Sequence, residues 1–377
     1  MTDELTPDEV RSALREYFAD RPGPEGARRL RDADPATDAD LVTTGFDRTA
    51  WRALAEQLGL AAMATPETFG GLGLGTAHLV AAVEECGARL APGPVRATGL
   101  LSWALRGLDG AVLPEELSAA VERFLAGDAV AGASSSEDPT DAAEYAGGRV
   151  SGRLSSVTHG RVADLVVATV RTDRGPAVAL VLTEGACTAR DELPGADLTA
   201  RIAHLVVSDA AAVLLTAPGD LTALDRHHAV ARLLLAAEQV GGAEGCLAEM
   251  VDYAGVRSQF GQLIGTYQAI QHHCSRTAVD VVSARALVAA AAAAVDRGAT
   301  EHAIALSLLA RGEAAETFHT ATRTLIQVCG GIGFTWEHDA HLFFRRARAS
   351  ASVAGTPDQH RHRAVEAACL DLLVAAV

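Results

Sequence analysis

Residues 257–272 read RSQFGQLIGTYQAIQH, a short interruption between two long helical patterns. An arginine comes first, then a Phe-Gly pair that breaks a helix, then a glutamine after an aromatic residue. A planar guanidinium suits an anionic diphosphate, and the amide beside an aromatic suits the edge of an adenosine. Taken alone, the stretch is equally a turn between bundle helices with a solvated arginine. QVCGGIGF (327–334) is similar: a side-chain amide is followed by two glycines that let a ligand approach the backbone closely.

Working outward, the flanks read as helix. DRHHAVARLLLAAEQVGGAEGCLAEMVDYAGVRSQFG (225–261) is apolar on more than one face, as a helix buried in a bundle must be. QAIQHHCSRTAVDVVSARALVAAAAAAVDRG (268–298) and EHAIALSLLARGEAAETFHTATRTLIQVCGG (301–331) continue the pattern. Upstream the period changes to two. GRVSGRLSSVTHG (148–160), ADLVVATV (163–170), PAVALVLTEG (176–185) and RIAHLVVSDAAAVLL (201–215) are short and rich in β-branched residues, and read as antiparallel strands. SSSEDPTDAAEYAGG (134–148), just before them, is polar, turn-rich and expected to be mobile.

The N-terminal part returns to helices. TPDEVRSALREYFAD (6–20) opens with a Thr cap and a Pro in the first turn, then spaces Val10, Leu14 and Phe18 four apart. DRTAWRALAEQLGL (47–60) repeats the pattern and stops at Gly59, and GTAHLVAAVEECGARLAPGP (75–94) ends in a Gly/Pro breaker. PETFGGLGLG (66–75) lacks the preceding strand of a dinucleotide loop and reads as an interhelical turn. The expected fold class is α+β, mainly α: N-terminal helices over 1–120, a middle antiparallel β domain over 121–217 and a C-terminal four-helix bundle over 218–377.

Composition narrows the function classes. The 377 residues are 49% hydrophobic but only 4% aromatic, and all 32 basic residues are arginine. A net charge of −16 argues against nucleic acid or an anionic membrane as partner. The acidic N-terminus is no secretory signal, and the apolar run ALVAAAAAAV (286–295) is too short to span a bilayer. Six scattered cysteines without a CxxC pair fit a reduced cytoplasmic protein. Metal is not expected: the adjacent histidines of HHC (272–274) point about 100° apart on a helix and cannot face one ion.

Taken together and in this order, the motifs resemble the acyl-CoA dehydrogenase family along nearly the whole chain. The resemblance rests on FGGLGLG…EECGARLAPGP, GRVSGRLSSVTHGRVADLVVA, YAGVRSQFGQLIGTYQAIQHH and GGIGFTWEHDAHLFFRRA. The last wording is similar to a bacterial branch linked to steroid or other bulky acyl-CoA degradation, commonly as unlike subunits paired together. The resemblance implies FAD lying across a subunit interface, an acyl-CoA substrate and an electron-transferring flavoprotein as acceptor. It places Arg257 on the diphosphate, Phe260 and Gln268 along the adenosine, and Gln327, Gly330 and Gly331 completing that half.

The other half departs from the family. The threonine-glutamate-proline loop running into alanine-glycine-serine-aspartate has no counterpart in AGASSSEDPTDAAEYAGG. The aromatic-Ile-Thr segment is represented by SVT, where only Thr158 fits. The dehydrogenation needs a carboxylate to remove the α-proton, yet the two positions the family uses are Ala354 and Ala231. Asp225, His227, His228, Glu337 and His360 are nearby in sequence; Glu337 reads as part of a structural signature and the histidines as helix-end residues. No catalytic residue is assigned. Three readings stay open: a subunit lending the nucleotide half-site to a complete paralogous partner, a homo-oligomeric flavoenzyme with a relocated base or different flavin chemistry, and a non-catalytic scaffold.

Overall fold

The computed structural model describes residues 5–20 and 24–369; the first four and last eight residues, including the start of the acidic N-terminal stretch, lie outside it. Seven helices come first: α1 (Pro7–Ala19), α2 (Glu25–Asp32), α3 (Ala39–Thr44), α4 (Arg48–Leu58), α5 (Thr76–Ala88), α6 (Val95–Ala104) and α7 (Glu115–Leu125). The signals that start and stop them are local. Thr6 Oγ1 accepts the Glu9 N–H while the Glu9 carboxylate accepts the Thr6 N–H, and Val10, Leu14 and Phe18 are buried. Asp47 caps α4 by accepting from the Thr49 and Ala50 N–H groups, and Gly59 ends it with φ 58°.

Seven strands follow: β1 (Ala131–Ser134), β2 (Ala143–Ala146), β3 (Arg149–Thr158), β4 (Leu165–Thr172), β5 (Gly175–Leu182), β6 (Cys187–Glu192) and β7 (Ile202–Leu214). Their pairings close on themselves through β2–β4–β5–β7–β3. Most pairs are antiparallel, as expected of the middle domain, and β1 and β2 each pair in addition with β4 in parallel. Period-two burial divides β4: Val166, Ala168 and Val170 join the β core, whereas Leu165 and Val167 join the core shared with the helices. The 134–148 stretch is not a free loop either. Its second half forms β2, and Glu137 in its first half is held by two arginines.

The chain ends in α8 (Leu221–Val256), a tight hairpin of β8 (Ser258–Gln259) and β9 (Gln262–Leu263), then α9 (Gln268–Asp296), α10 (Thr300–Cys329), α11 (Ala340–Ser350) and α12 (Pro357–Ala364). Three long helices thus make the bundle, with α11 as a shorter fourth against α8 and α10. α8 meets α10 at Arg232–Ser307, Gln239–Arg311 and Gly242–Phe318, in rising order on both, so the two run parallel. α9 returns antiparallel to α8, with Gly265 beside Ala254 and Arg285 bonded to Glu244 at 2.5 Å. α8 also packs on α5 through bare backbone: a Cβ on Gly241 would stand 1.9 Å from the Glu84 carbonyl oxygen. By length and composition α9 could cross a bilayer, which the 286–295 run alone hid, but here Val281, Ala284 and Val288 face the bundle core.

Buried and part-buried ion pairs fasten the three regions around α11. Arg28 of α2 donates to Asp339 at the start of α11 (2.8 Å), Arg346 reaches Asp197 of the β6–β7 loop (3.0 Å), and Glu238 of α8 lies between Arg346 and Arg96. Buried histidines make this packing pH-sensitive. Burial, with arginines nearby, pushes His159 down to about 3 and His360 to about 4; burial beside His228 pushes His227 to about 3. These folded-state values lie below the unfolded value of about 6.5, so the unfolded chain binds more protons between them and stability falls as pH falls through that window. If all three stay neutral when folded, the slope reaches about 4 kcal/mol per pH unit near pH 5. Glu84, raised by burial, works in the opposite sense. The melting temperature is therefore expected to drop steeply from pH 7 to pH 5; a flat profile would contradict the neutral histidines.

Candidate functional site

Because α8 and α10 run parallel and α9 antiparallel, the C-terminal ends of the first two and the N-terminal end of the third share one end of the bundle. All six sequence-predicted residues lie there. Arg257 directly follows α8; its N–H donates to the Tyr253 carbonyl (2.9 Å), and its exposed side chain has no ion pair or hydrogen bond among the described residues. Phe260 sits at the hairpin turn with φ 51° and is 93% exposed, a strained and uncovered position for an aromatic ring. Tyr267 steadies that hairpin by donating from its hydroxyl to the Gln259 carbonyl (3.1 Å). Gln268 is the first residue of α9, whose N-terminus has no side-chain cap.

Gln327 is exposed near the end of α10, and Gly330 stops that helix at φ 64°, ψ −141°, a conformation essentially confined to glycine. A Cβ on Gly331 would meet nothing within 4 Å, so no packing inside this chain requires glycine there. Phe334, 81% exposed, and Trp336 continue the uncovered aromatic surface. Free guanidinium donors, an uncapped helix N-terminus and open glycine backbone on one face can hold a phosphate-bearing nucleotide. The residues present fit that half of a dinucleotide.

The second region lies between the β strands and the bundle. Ala231 of α8 and Ala354 of the α11–α12 loop line the same cavity of about 50 Å³, together with Thr158, Glu137, His228 and Arg232. Ala354 is held at φ 57° by Arg311, whose Nη2 donates to the carbonyls of Ser350 (2.7 Å), Ala351 (3.1 Å) and Val353 (3.1 Å). Glu137 crosses the cavity wall, accepting from Arg232 Nη1 at 2.7 Å and from Arg363 Nη1 at 2.8 Å. Burial raises its carboxyl, but Arg232, His228 and Arg363 outweigh that and leave it below the usual carboxylate range. A carboxylate gripped by two guanidiniums is a poor proton acceptor.

Of the other candidates, His227 and His228 line the same cavity. His228 Nε2 is 3.1 Å from Thr169 Oγ1, and His227 packs on Trp103; like His360, both are buried rather than set at exposed helix ends. Asp225 and Glu337 are exposed. Thr158 donates its hydroxyl to the Ala133 carbonyl (2.9 Å). Ser156, two residues earlier and in left-handed backbone, borders an open cleft of about 470 Å³ that also reaches Ala354.

Residues 8–107 match the domain described as "Acyl-CoA dehydrogenase, N-terminal domain", and residues 222–368 match "Acyl-CoA dehydrogenase, C-terminal domain". The acyl-CoA dehydrogenase IpdE2 of Mycobacterium tuberculosis is 34% identical over 94% of this chain and 95% of its own length. The chain belongs to the acyl-CoA dehydrogenase family. The ChsE4-ChsE5 complex of Mycobacterium tuberculosis superposes with a TM-score of 0.78 at 25% identity, covering 96% of this chain and 97% of that one. The Tcur3481-Tcur3483 steroid enzyme variant shares the fold, with a TM-score of 0.81 at 23% identity over 97% of this chain and 98% of its own.

For an acyl-CoA dehydrogenase, then, this chain is uneven. The bundle end carries every nucleotide-side residue the resemblance named. The two positions that the resemblance gives to the base line one cavity, and both are alanine. Glu137 and Arg363 were missed by sequence reasoning. A lone acid in a serine-rich stretch and an arginine 226 residues away carry no shared local pattern.

Proposed function

We propose that this chain is a subunit of a hetero-oligomeric, FAD-dependent acyl-CoA dehydrogenase, lending the diphosphate and adenosine half-site to a paralogous partner. The observation that carries the proposal is the contrast between the two regions. Arg257, Phe260, Gln268, Gln327, Gly330 and Gly331 stand open at one end of the bundle, while the other cavity has alanine at both Ala231 and Ala354, and its one carboxylate among the described residues, Glu137, is held by two arginines. Bound FAD supplies a hydride acceptor at its ring, which the partner would hold beside its own carboxylate. This chain's part is to bind and orient: Arg257 pairs with the diphosphate, and Gly330 and Gly331 admit it to the backbone. The substrate is an acyl-CoA thioester, the electron acceptor an electron-transferring flavoprotein, and the setting the cytoplasm. ChsE4-ChsE5, a two-component complex, supports the pairing by similarity.

The cleft beside Ser156 favours a second reading, a homo-oligomer that keeps its own flavin ring with a different chemistry. One experiment separates the two. The chain is purified alone and after co-expression with a paralogous acyl-CoA dehydrogenase, and FAD is counted from the visible spectrum. Expected are a colourless chain alone, without dehydrogenase activity, and one FAD per pair of unlike chains in the complex. Stoichiometric FAD on the isolated chain with turnover of about 1–10³ per second would overturn the shared-site reading.

A further inference from the structure

Arg232 is the only arginine in the cavity wall with a buried terminal nitrogen lacking a partner among the described residues. The side chain is 1% exposed. Its Nη1 is taken by Glu137 at 2.7 Å and its Nε reaches Ser307 Oγ at 3.4 Å, while Nη2 is buried without an acceptor from the protein. A buried guanidinium nitrogen in that state is costly, and such groups ordinarily find a hydrogen-bond partner.

The surroundings say what partner would suit. Arg232 and Arg363 share a single carboxylate, Glu137. Among the described residues, Arg311 donates only to neutral acceptors, the Gln239 amide and backbone carbonyls. Arg96, also in the wall, pairs with Glu238, and Glu238 with Asp197 balances Arg96 and Arg346. His227, His228 and His360 are all pushed toward the neutral form by burial. The cavity therefore carries an excess of positive charge, and an anion is favoured over a neutral guest.

Size narrows the choice. A water needs about 10–15 Å³ of such space, so about 50 Å³ accommodates three or four small atoms and no acyl chain. The methyl groups of Ala231 and Ala354 line the same space, leaving room beside the guanidinium where a longer side chain at either position would intrude. We propose that this cavity binds a small monocarboxylate, formate or acetate, seated against Arg232 Nη2 between Ala231 and Ala354. A planar carboxylate matches the donor geometry of a guanidinium. The proposal is independent of flavin sharing: it concerns this chain's own cavity and needs neither FAD nor a partner.

The test is a set of thermal melts of the full chain near pH 7.5, at constant ionic strength, with sodium formate, acetate, pivalate or chloride. Pivalate has the same charge but is too large for the cavity. Formate and acetate are expected to raise the midpoint saturably, with half-saturation no tighter than about 0.5 mM for formate and about 0.04 mM for acetate, the ceiling at roughly 1.5 kcal/mol per heavy atom. Pivalate and chloride are expected to have no such effect. Ala354→Glu offers a tethered carboxylate at the cavity wall and should abolish the formate response. Arg232→Lys, if it folds, should abolish it too. No saturable rise with formate, an equal rise with pivalate, or a full formate response in Ala354→Glu would each overturn the proposal.

Discussion

Glu137→Ala is expected to cost the chain about 3–5 kcal/mol of stability, the range typical when one partner of a buried ion pair is removed. The glutamate side chain is 17% exposed and Arg232 only 1%, so the guanidinium left behind cannot recover its hydration. The carboxylate also joins three separate pieces of chain: the 134–142 loop, α8 through Arg232 and α12 through Arg363. Loss of the acid should free the loop as well as strand the charge. Arg363→Ala should cost much less, below about 1 kcal/mol, because that arginine is substantially exposed. The double variant Glu137→Leu/Arg232→Met should recover most of the loss, since apolar groups of similar volume commonly replace a buried pair without penalty. Urea unfolding with an unchanged slope measures all three. A loss under about 1 kcal/mol for Glu137→Ala would mean that packing, not charge, holds the loop.

How much of this was legible beforehand depended on the range of each interaction. The boundaries of α1 and α4 could be read because Thr6, Glu9, Asp47 and Gly59 act within one helical turn of the residues they cap. β3, β4, β5 and β7 showed as short runs rich in β-branched residues between turn residues. β1, β2 and β6 did not, being short and polar or small, with pairings set by strands far away in sequence. The parallel pairing to β4 had no local signature at all. The use of Gly241, bare backbone contact with α5, depends on a residue more than a hundred positions earlier.

The functional regions divide in the same way. The nucleotide-side residues are contiguous motifs on two helix ends, and only the parallel course of α8 and α10 had to be learned from the fold. The opposite cavity is assembled from α6, β1, β4, α8 and the loop after α11, so its character depends on who meets whom. The alanines were visible in sequence. That they line one cavity with a buried guanidinium, with Glu137 already committed to two arginines, was not.

Arg257→Ala is expected to lower FAD affinity of the assembled complex roughly tenfold to hundredfold while leaving the fold intact. A hydrogen bond to a charged group contributes about 1.5–3 kcal/mol, which sets that range. The prediction of an unchanged melting temperature comes from the structure: the side chain is exposed and unpaired among the described residues, and only its backbone takes part in the helix end and the hairpin. Arg257→Lys should recover part of the affinity, because it keeps the charge but not the planar set of donors. The measurements are FAD per complex after dilution and gel filtration, and thermal melting of the same samples without FAD. If the arginine instead braced the bundle end, the variant would melt lower and the folded fraction would keep its full flavin. A complex with unaltered affinity would remove Arg257 from the site. The nucleotide would then have to be held by Gln268, Gln327 and the glycine backbone alone, without the one side-chain cation among the six predicted residues.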